Sequence, residues 1–233
     1  VFCVRRKRGV DLMKEERKEP IQIPHIQTIN DHISYLTPTE HPLSANVVII
    51  EGDAFLWGYD VGNHPAVPEI LQKKSKQTGK KIRVILSHFH PDHIGNLSEI
   101  SCEAVYQGKN TFRYTKTGTV IEEDTWFQDG DVRLHLFPIP SSHAKGSLAL
   151  EVDETWCFLG DAAYATQKSG QTVYNAERLL AEIRVLKNVR APYFLLSHSE
   201  PFQQNKEDVL EWMEATYEKR KRDESYIKTP QRL

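Results

Sequence analysis

Metal-binding chemistry is concentrated in one short stretch, Ser87-His88-Phe89-His90-Pro91-Asp92-His93-Ile94-Gly95. Three of the chain's ten histidines and one aspartate fall within six residues there. Imidazole nitrogens and carboxylate oxygens with no thiolate suit zinc best, with iron or manganese as alternatives. His88 and His90 lie two apart, and on extended backbone such residues point to the same side and can share a cation. Asp92 and His93 follow the Pro91 turn, which displaces them toward a neighbouring cation. Elsewhere in the chain stand Asp60, before this stretch, and His143, Asp161 and His198, after it, each just beyond an apolar run. Two cations about 3.5–4 Å apart can hold a bridging hydroxide and stabilise both the attacking and the departing oxygen of a displacement. A closed structural zinc uses four ligands, fewer than this set supplies. His25, His32, His41, His64 and His135 have no such partners, although His64 follows closely on Asp60-Val61-Gly62-Asn63.

These groups need rigid elements behind them. The apolar, β-branched run Lys81-Ile82-Arg83-Val84-Ile85-Leu86 reads as a buried strand that delivers the histidine loop at its end. Earlier strands are expected over 26–29, 32–36, 45–50 and 55–59, separated by turn residues such as His41-Pro42 and Glu51-Gly52-Asp53. A helix is expected over 68–78, with Pro68 in its first turn and Gly79 as its C-cap. After the histidine loop the pattern predicts a helix over 94–100, a strand over 104–106 and a short helix over 109–114. Strands follow over 132–137, 147–152 and 155–159, the last two joined at Asp153-Glu154. Helical periodicity over 175–187 and 207–220 brackets a buried strand over 193–196.

The chain also resembles itself. Phe55 to Asp60, a helix and Val84 to His88 parallel Trp156 to Asp161, a helix and Phe194 to His198. Both halves run strand–Asp, helix, strand–Ser-His, which implies two packed sheets with helices outside.

At 233 residues, 39% of them hydrophobic and 27% charged, the chain has the composition of one ordinary globular domain. Residues 1–20 are dominated by Arg, Lys and Glu and read as a charged tail, leaving 21–233 as the expected domain. The net charge of −2 is no footprint for nucleic acid or an anionic membrane. No apolar run approaches a transmembrane span. The lysines at 73, 74, 76, 80 and 81 and the basic cluster at 219–222 read as solvated helix faces and ends. Cys3, Cys102 and Cys157 are odd in number and widely spread, which points to a cytoplasmic protein without a disulfide framework.

The order His88-x-His90-x-Asp92-His93, then His143, Asp161 and His198, resembles the metallo-β-lactamase fold superfamily over nearly the whole chain after the tail. The signature of that superfamily, H-x-H-x-D-H-x-x-G, is met except that Gly95 stands one residue early, with Asn96 in the usual glycine place. The resemblance implies an α+β fold, an αββα sandwich of two mixed sheets with outer helices, and a site for two divalent metal ions. Carried over, it implies that His88, His90 and His143 hold one metal and that Asp92, His93 and His198 hold the second. Asp161 would bridge the two, and Asp60 would orient a ligand histidine.

Asp161-Ala162-Ala163-Tyr164 is similar to the Asp-Ala-x-Tyr string of the acyl-homoserine-lactone lactonases. That likeness implies a metal-bridging hydroxide attacking an ester or lactone carbonyl of a small molecule. Tyr164 would reach the carbonyl oxygen and Asp92 would pass a proton to the leaving alkoxide. Trp126-Phe127 and the loop over 166–172 are expected to line an acyl pocket. The alternatives are a glyoxalase-II-like thioesterase, expected to carry an added C-terminal region, a phosphodiesterase, expected to bring an inserted domain or a basic surface, and a non-catalytic metal-binding module.

Overall fold

The structure is a computed structural model that describes residues 22–229; the expected charged tail lies outside them. The first half contributes β1 (Ile26–Thr28), β2 (Ile33–Leu36), β3 (Thr39–Glu40), β4 (Leu43–Ser44), β5 (Val47–Glu51) and β6 (Phe55–Tyr59). Helix α1 (Ala66–Thr78), β7 (Lys81–Leu86), α2 (Pro91–Ile94), β8 (Ala104–Gln107), α3 (Lys109–Thr115) and β9 (Thr119–Val120) follow. The second half begins with β10 (Thr125–Asp129), β11 (Val132–Ile139), β12 (Ser147–Val152) and β13 (Trp156–Gly160). It continues with β14 (Thr166–Lys168), β15 (Gln171–Asn175), α4 (Ala176–Asn188) and β16 (Tyr193–Leu196). Last come β17 (Gln203–Asn205), α5 (Lys206–Tyr217) and β18 (Tyr226–Lys228).

Two sheets dominate, in the strand orders β1-β2-β5-β6-β7-β8-β9 and β10-β11-β12-β13-β16-β17. Period-two alternation sorts their side chains into layers. In β7, Ile82, Val84 and Leu86 face α1 with Leu56, Val67 and Leu71, while Ile85 faces the second sheet. In β13 and β16, Leu159, Phe194 and Leu196 face α4 and α5, where Leu179, Ile183 and Met213 cover them. Phe158 and Leu195 point the other way, into the layer between the sheets with Trp57, Tyr59 and Leu150. The result is the expected αββα sandwich. The internal similarity is also structural, because β6 pairs parallel with β7 across α1, and β13 pairs parallel with β16 across α4. Among the described residues no helix is long and apolar enough to cross a membrane.

Three expectations need correction. The helix over 94–100 is one turn, Pro91–Ile94, followed by a 3-10 turn, Leu97–Glu99. The Asn96 side chain donates to the carbonyls of Val61 and His64, both at 3.0 Å, and this pins the chain out of helical continuation. Gly95 packs where a Cβ would meet Asn63 Oδ1 at 2.3 Å, so the glycine serves a close approach between two loops. Among the described residues, Trp126 and Phe127 are not part of the lining of the cleft that holds His90, Asp92, His143, Asp161 and His198. They lie in β10, where Trp126 stacks on His135 at 3.8 Å and Phe127 packs on Trp57 and Tyr106 between the sheets. The loop over 166–172 is the hairpin β14–β15, to which β18 adds a third strand.

Candidate metal centre

Each candidate side chain sits just past the end of a strand, where the backbone leaves the ladder and can aim a polar group at a shared point. Asp60 follows β6 in a left-handed conformation, φ 60°, its N–H donating to Ile85 across the parallel pair. His88 follows β7. His90 caps the single turn α2, whose Pro91 at the first position turns Asp92 and His93 away from the preceding pair. Asp161 follows β13 after Gly160, where a Cβ would meet the Ser87 side chain at 2.7 Å. That close approach brings the two halves of the chain together. His143 lies in the turn after β11, and His198 stands two residues past β16 at φ 61°.

The structure brings all seven together as two groups. His88, His90, His143 and Asp161 have donor atoms within 4.8 Å of one another, as do Asp92, His93, Asp161 and His198. Asp161 belongs to both. Its Oδ2 lies 3.3 Å from His143 Nε2, and its Oδ1 lies 3.3 Å from His93 Nε2. His90 Nδ1 is 3.0 Å from the Nε2 atoms of both His88 and His143, and His198 Nε2 is 3.0 Å from Asp92 Oδ2.

The far nitrogens of the rings assign the tautomers. Asp60 Oδ1 accepts the Ser87 N–H, and its Oδ2 accepts the Ser87 hydroxyl and the His93 Nδ1–H, all at 2.7 Å. With its proton committed to Asp60, Ser87 Oγ accepts from His88 Nδ1 at 3.0 Å. His143 Nδ1–H donates to the Ala165 carbonyl at 3.1 Å. The Nε2 lone pairs of His88, His93 and His143 are therefore free to face the two groups, the arrangement that ligation requires. Asp60 thus orients one histidine of each group, through His93 directly and through Ser87 to His88.

Electrostatics point the same way. Burial pushes His88 well below the ordinary imidazole value, and the neighbouring rings of His93, His143, His90 and His198 push it further. Burial, then His143, lowers His90. Burial opposes ionisation of Asp92, but the His198 hydrogen bond and the nearby His93 outweigh it and hold the carboxyl at about 2. Burial also opposes charge on His93, yet Asp161 and Asp60 together raise it well above its usual range. Surroundings that favour a proton there favour a metal cation in its place.

The residues fit a binuclear metal site. His93 Nε2 and Asp161 Oδ1 are buried, lie 3.3 Å apart and yet form no hydrogen bond among the described residues. Two such atoms that fail to align with each other converge on a third, and the all-nitrogen-and-oxygen donor set is one that divalent metals accept.

The two groups floor a cleft of about 520 Å³. Gln22, Pro38, Thr39, Glu40 and Leu43 form its wall, mostly from the β3–β4 hairpin. A cleft of about 590 Å³ at the opposite end of β7, beside Lys80 and Cys102, has no histidine among its lining residues. His64 joins neither group; it is buried, and its Nδ1 accepts from the Ala66 N–H at 3.1 Å. Tyr164 lies with its ring 6.5 Å from that of His143, and its hydroxyl donates to the Ser197 carbonyl at 2.7 Å. The wall residues and Asn46, which accepts from the His198 N–H, carry no sequence signal that sets them apart. Ser87 did carry one, since Ser-His recurs at 87–88 and 197–198.

Two strand–helix–strand halves that meet at Asp161, in an αββα sandwich, define the metallo-β-lactamase fold, and this chain has that fold. It is similar to a metallo-β-lactamase from Pontibacter korlensis at TM-score 0.65 and 15% identity, covering 84% of this chain and all of that one. A stereoselective inverting sec-alkylsulfatase from a Pseudomonas species matches at TM-score 0.65 and 14% identity, over 84% of this chain and 42% of its own. A flavoprotein from Thermotoga maritima matches at TM-score 0.63 and 13% identity, over 87% of this chain and 64% of its own. No protein-family model and no curated protein matches the sequence.

Proposed function

We propose that the protein is a metal-dependent hydrolase acting on the ester or lactone carbonyl of a small molecule. The observation that carries this reading is the pair of four-residue groups sharing Asp161 at the floor of an open cleft. Two divalent cations, zinc by the donor set, would supply a nucleophile at neutral pH, polarise the carbonyl and stabilise the departing oxygen. His88, His90 and His143 would hold one, Asp92, His93 and His198 the other, and Asp161 both.

The chain's own residues do the rest. Asp60 and Ser87 keep His88 and His93 in the ligating tautomer. Asp92 lines the cleft, ionised and hydrogen-bonded to His198. Held at about 2, its carboxyl stays ionised, as a cation ligand must be. In the proposed reaction the proton taken up by the leaving oxygen would come from the attacking hydroxyl and pass by way of Asp92. Tyr164 reaches a substrate oxygen only by exchanging its bond to Ser197. Among the described residues lining the cleft there is no Lys or Arg. A phosphodiester would gain no countercharge from these walls, whereas a neutral carbonyl substrate needs none.

The test is a panel of lactone, thioester and phosphodiester substrates, run on the zinc-loaded chain before and after chelation. Lactone or ester hydrolysis that disappears on chelation and returns with zinc is expected. A protein holding less than one metal per chain, or one fully loaded and inert on the carbonyl substrates, overturns the proposal.

A further inference from the structure

The two-residue link between β4 and β5 is buried beneath the second group of ligands. Ala45 and Asn46 are 1% and 2% exposed, although neither packs a large side chain. Their polar atoms explain the burial. The Ala45 N–H donates to the Asp92 carbonyl at 2.9 Å. Asn46 Oδ1 accepts the His198 N–H at 3.0 Å, a bond between residues 152 apart. One position earlier, Ser44 Oγ accepts from the N–H groups of Asn63 and His64 at 2.9 and 3.2 Å. Three consecutive residues therefore tie the Asp60 loop, the histidine loop and the His198 turn to one short segment at the end of β4.

The two ties at Ala45 and Asn46 are selective. Asp92 and His198 belong only to the second group, and no bond from Ala45 or Asn46 reaches His88, His90 or His143 among the described residues. His198 also needs support, because its left-handed φ of 61° is costly for a residue with a Cβ and persists only when neighbours hold it. Asn46 Nδ2 is buried without a hydrogen-bond partner among the described residues, so the residue is placed there for its oxygen. A buried donor left unpaired costs stability, which the single bond to His198 must outweigh.

Resting on the two-metal reading, we propose that Asn46 is a positioning residue for the second cation: it sets the separation of Asp92 and His198, and the first cation does not depend on it. The experiment strips the full chain with chelator and titrates it with Co²⁺, following the ligand-field spectrum and the affinity of each equivalent. The wild-type chain takes up two equivalents. In Asn46→Leu the first is retained, and the second weakens on the order of 10–100-fold, the usual effect of losing a support behind a ligand. Asn46→Asp keeps the acceptor oxygen and restores the second equivalent to within a few fold; where Asn46→Leu does not fold, Asn46→Ser replaces it with a hydroxyl too short to span the gap. Two unchanged equivalents in the folded Leu or Ser variant, or equal weakening of both, overturn the inference. A wild-type chain that binds fewer than two equivalents overturns the two-metal reading instead.

Discussion

Replacing Asp60 by asparagine isolates what one buried carboxylate does for both cation positions. Asp60→Asn conserves volume, and the amide oxygen can still accept the Ser87 N–H in place of Oδ1. The change falls on Oδ2, which accepts from the Ser87 hydroxyl and from His93 Nδ1–H, each at 2.7 Å. An amide NH₂ there meets two donors head-on. The conflict is relieved only if Ser87 accepts from the amide and turns its hydroxyl toward His88 Nδ1, and if His93 moves its own proton to Nε2. Both rings then carry a proton on the atom that faced the site. Losing such support behind a ligand weakens metal binding on the order of 10–100-fold, about 1.4–2.8 kcal/mol. That agrees with the roughly 1.5–3 kcal/mol of one hydrogen bond to a charged group. Because His88 serves one group and His93 the other, both zinc equivalents should weaken, unlike the single loss expected of Asn46→Leu. Competition against a chromophoric chelator measures the two affinities, and long-range ¹H–¹⁵N spectra of the histidines report the tautomers. Zinc affinities within three-fold of wild type, or protons still on Nδ1 of both rings, would refute the reasoning.

Two further outcomes follow from the same geometry. Glu182 in α4 is fully buried, both its carboxylate oxygens lack a partner among the described residues, and burial raises its pKa well above the ordinary range, so the folded chain keeps it protonated. The unfolded chain ionises it from about pH 4.3 upward, so stability falls by about 1.4 kcal/mol per pH unit above that point until the folded group itself titrates. Glu182→Leu removes this loss, and its advantage in urea unfolding should widen from pH 5 to pH 7; a constant gap would contradict it. Tyr164→Phe removes the hydrogen bond to Ser197, worth about 0.5–1.5 kcal/mol. Lactone turnover should then fall by less than about ten-fold, whereas a drop on the order of 10²–10³, the scale of a lost oxyanion donor, would show that the hydroxyl leaves Ser197 for the substrate.

Much of the centre is legible in the chain because its signals are local. The apolar alternation of Ile82 to Leu86 writes a two-faced strand, and Pro91 forces the single turn that sends His88 and His90 one way and Asp92 and His93 the other. The recurrence of strand–Asp and strand–Ser-His pairs announces two equivalent halves. Where a distant partner intervenes, local pattern misleads. Helical periodicity runs past Ile94, but Asn96 bonds to carbonyls 35 and 32 residues away and ends the helix. Trp126 and Phe127 look like an aromatic pocket wall, yet the pairing of β10 with β11 carries them to His135 and the inter-sheet core.

By itself the sequence determined which residue types could bind metal, and that each would stand at the end of a strand. The resemblance already implied that Asp161 is shared and that Asp60 supports one histidine. Only the tertiary structure decided that Asp60 reaches a histidine of both groups, through Ser87 to His88 as well as directly to His93, and that Asn46 reaches His198. Periodicity encodes dihedral angles and buried faces within a few residues. Convergence of β6, β7, β13 and β16 at one end of the sandwich depends on which strands pair and in what register, a property of all the contacts in the fold together.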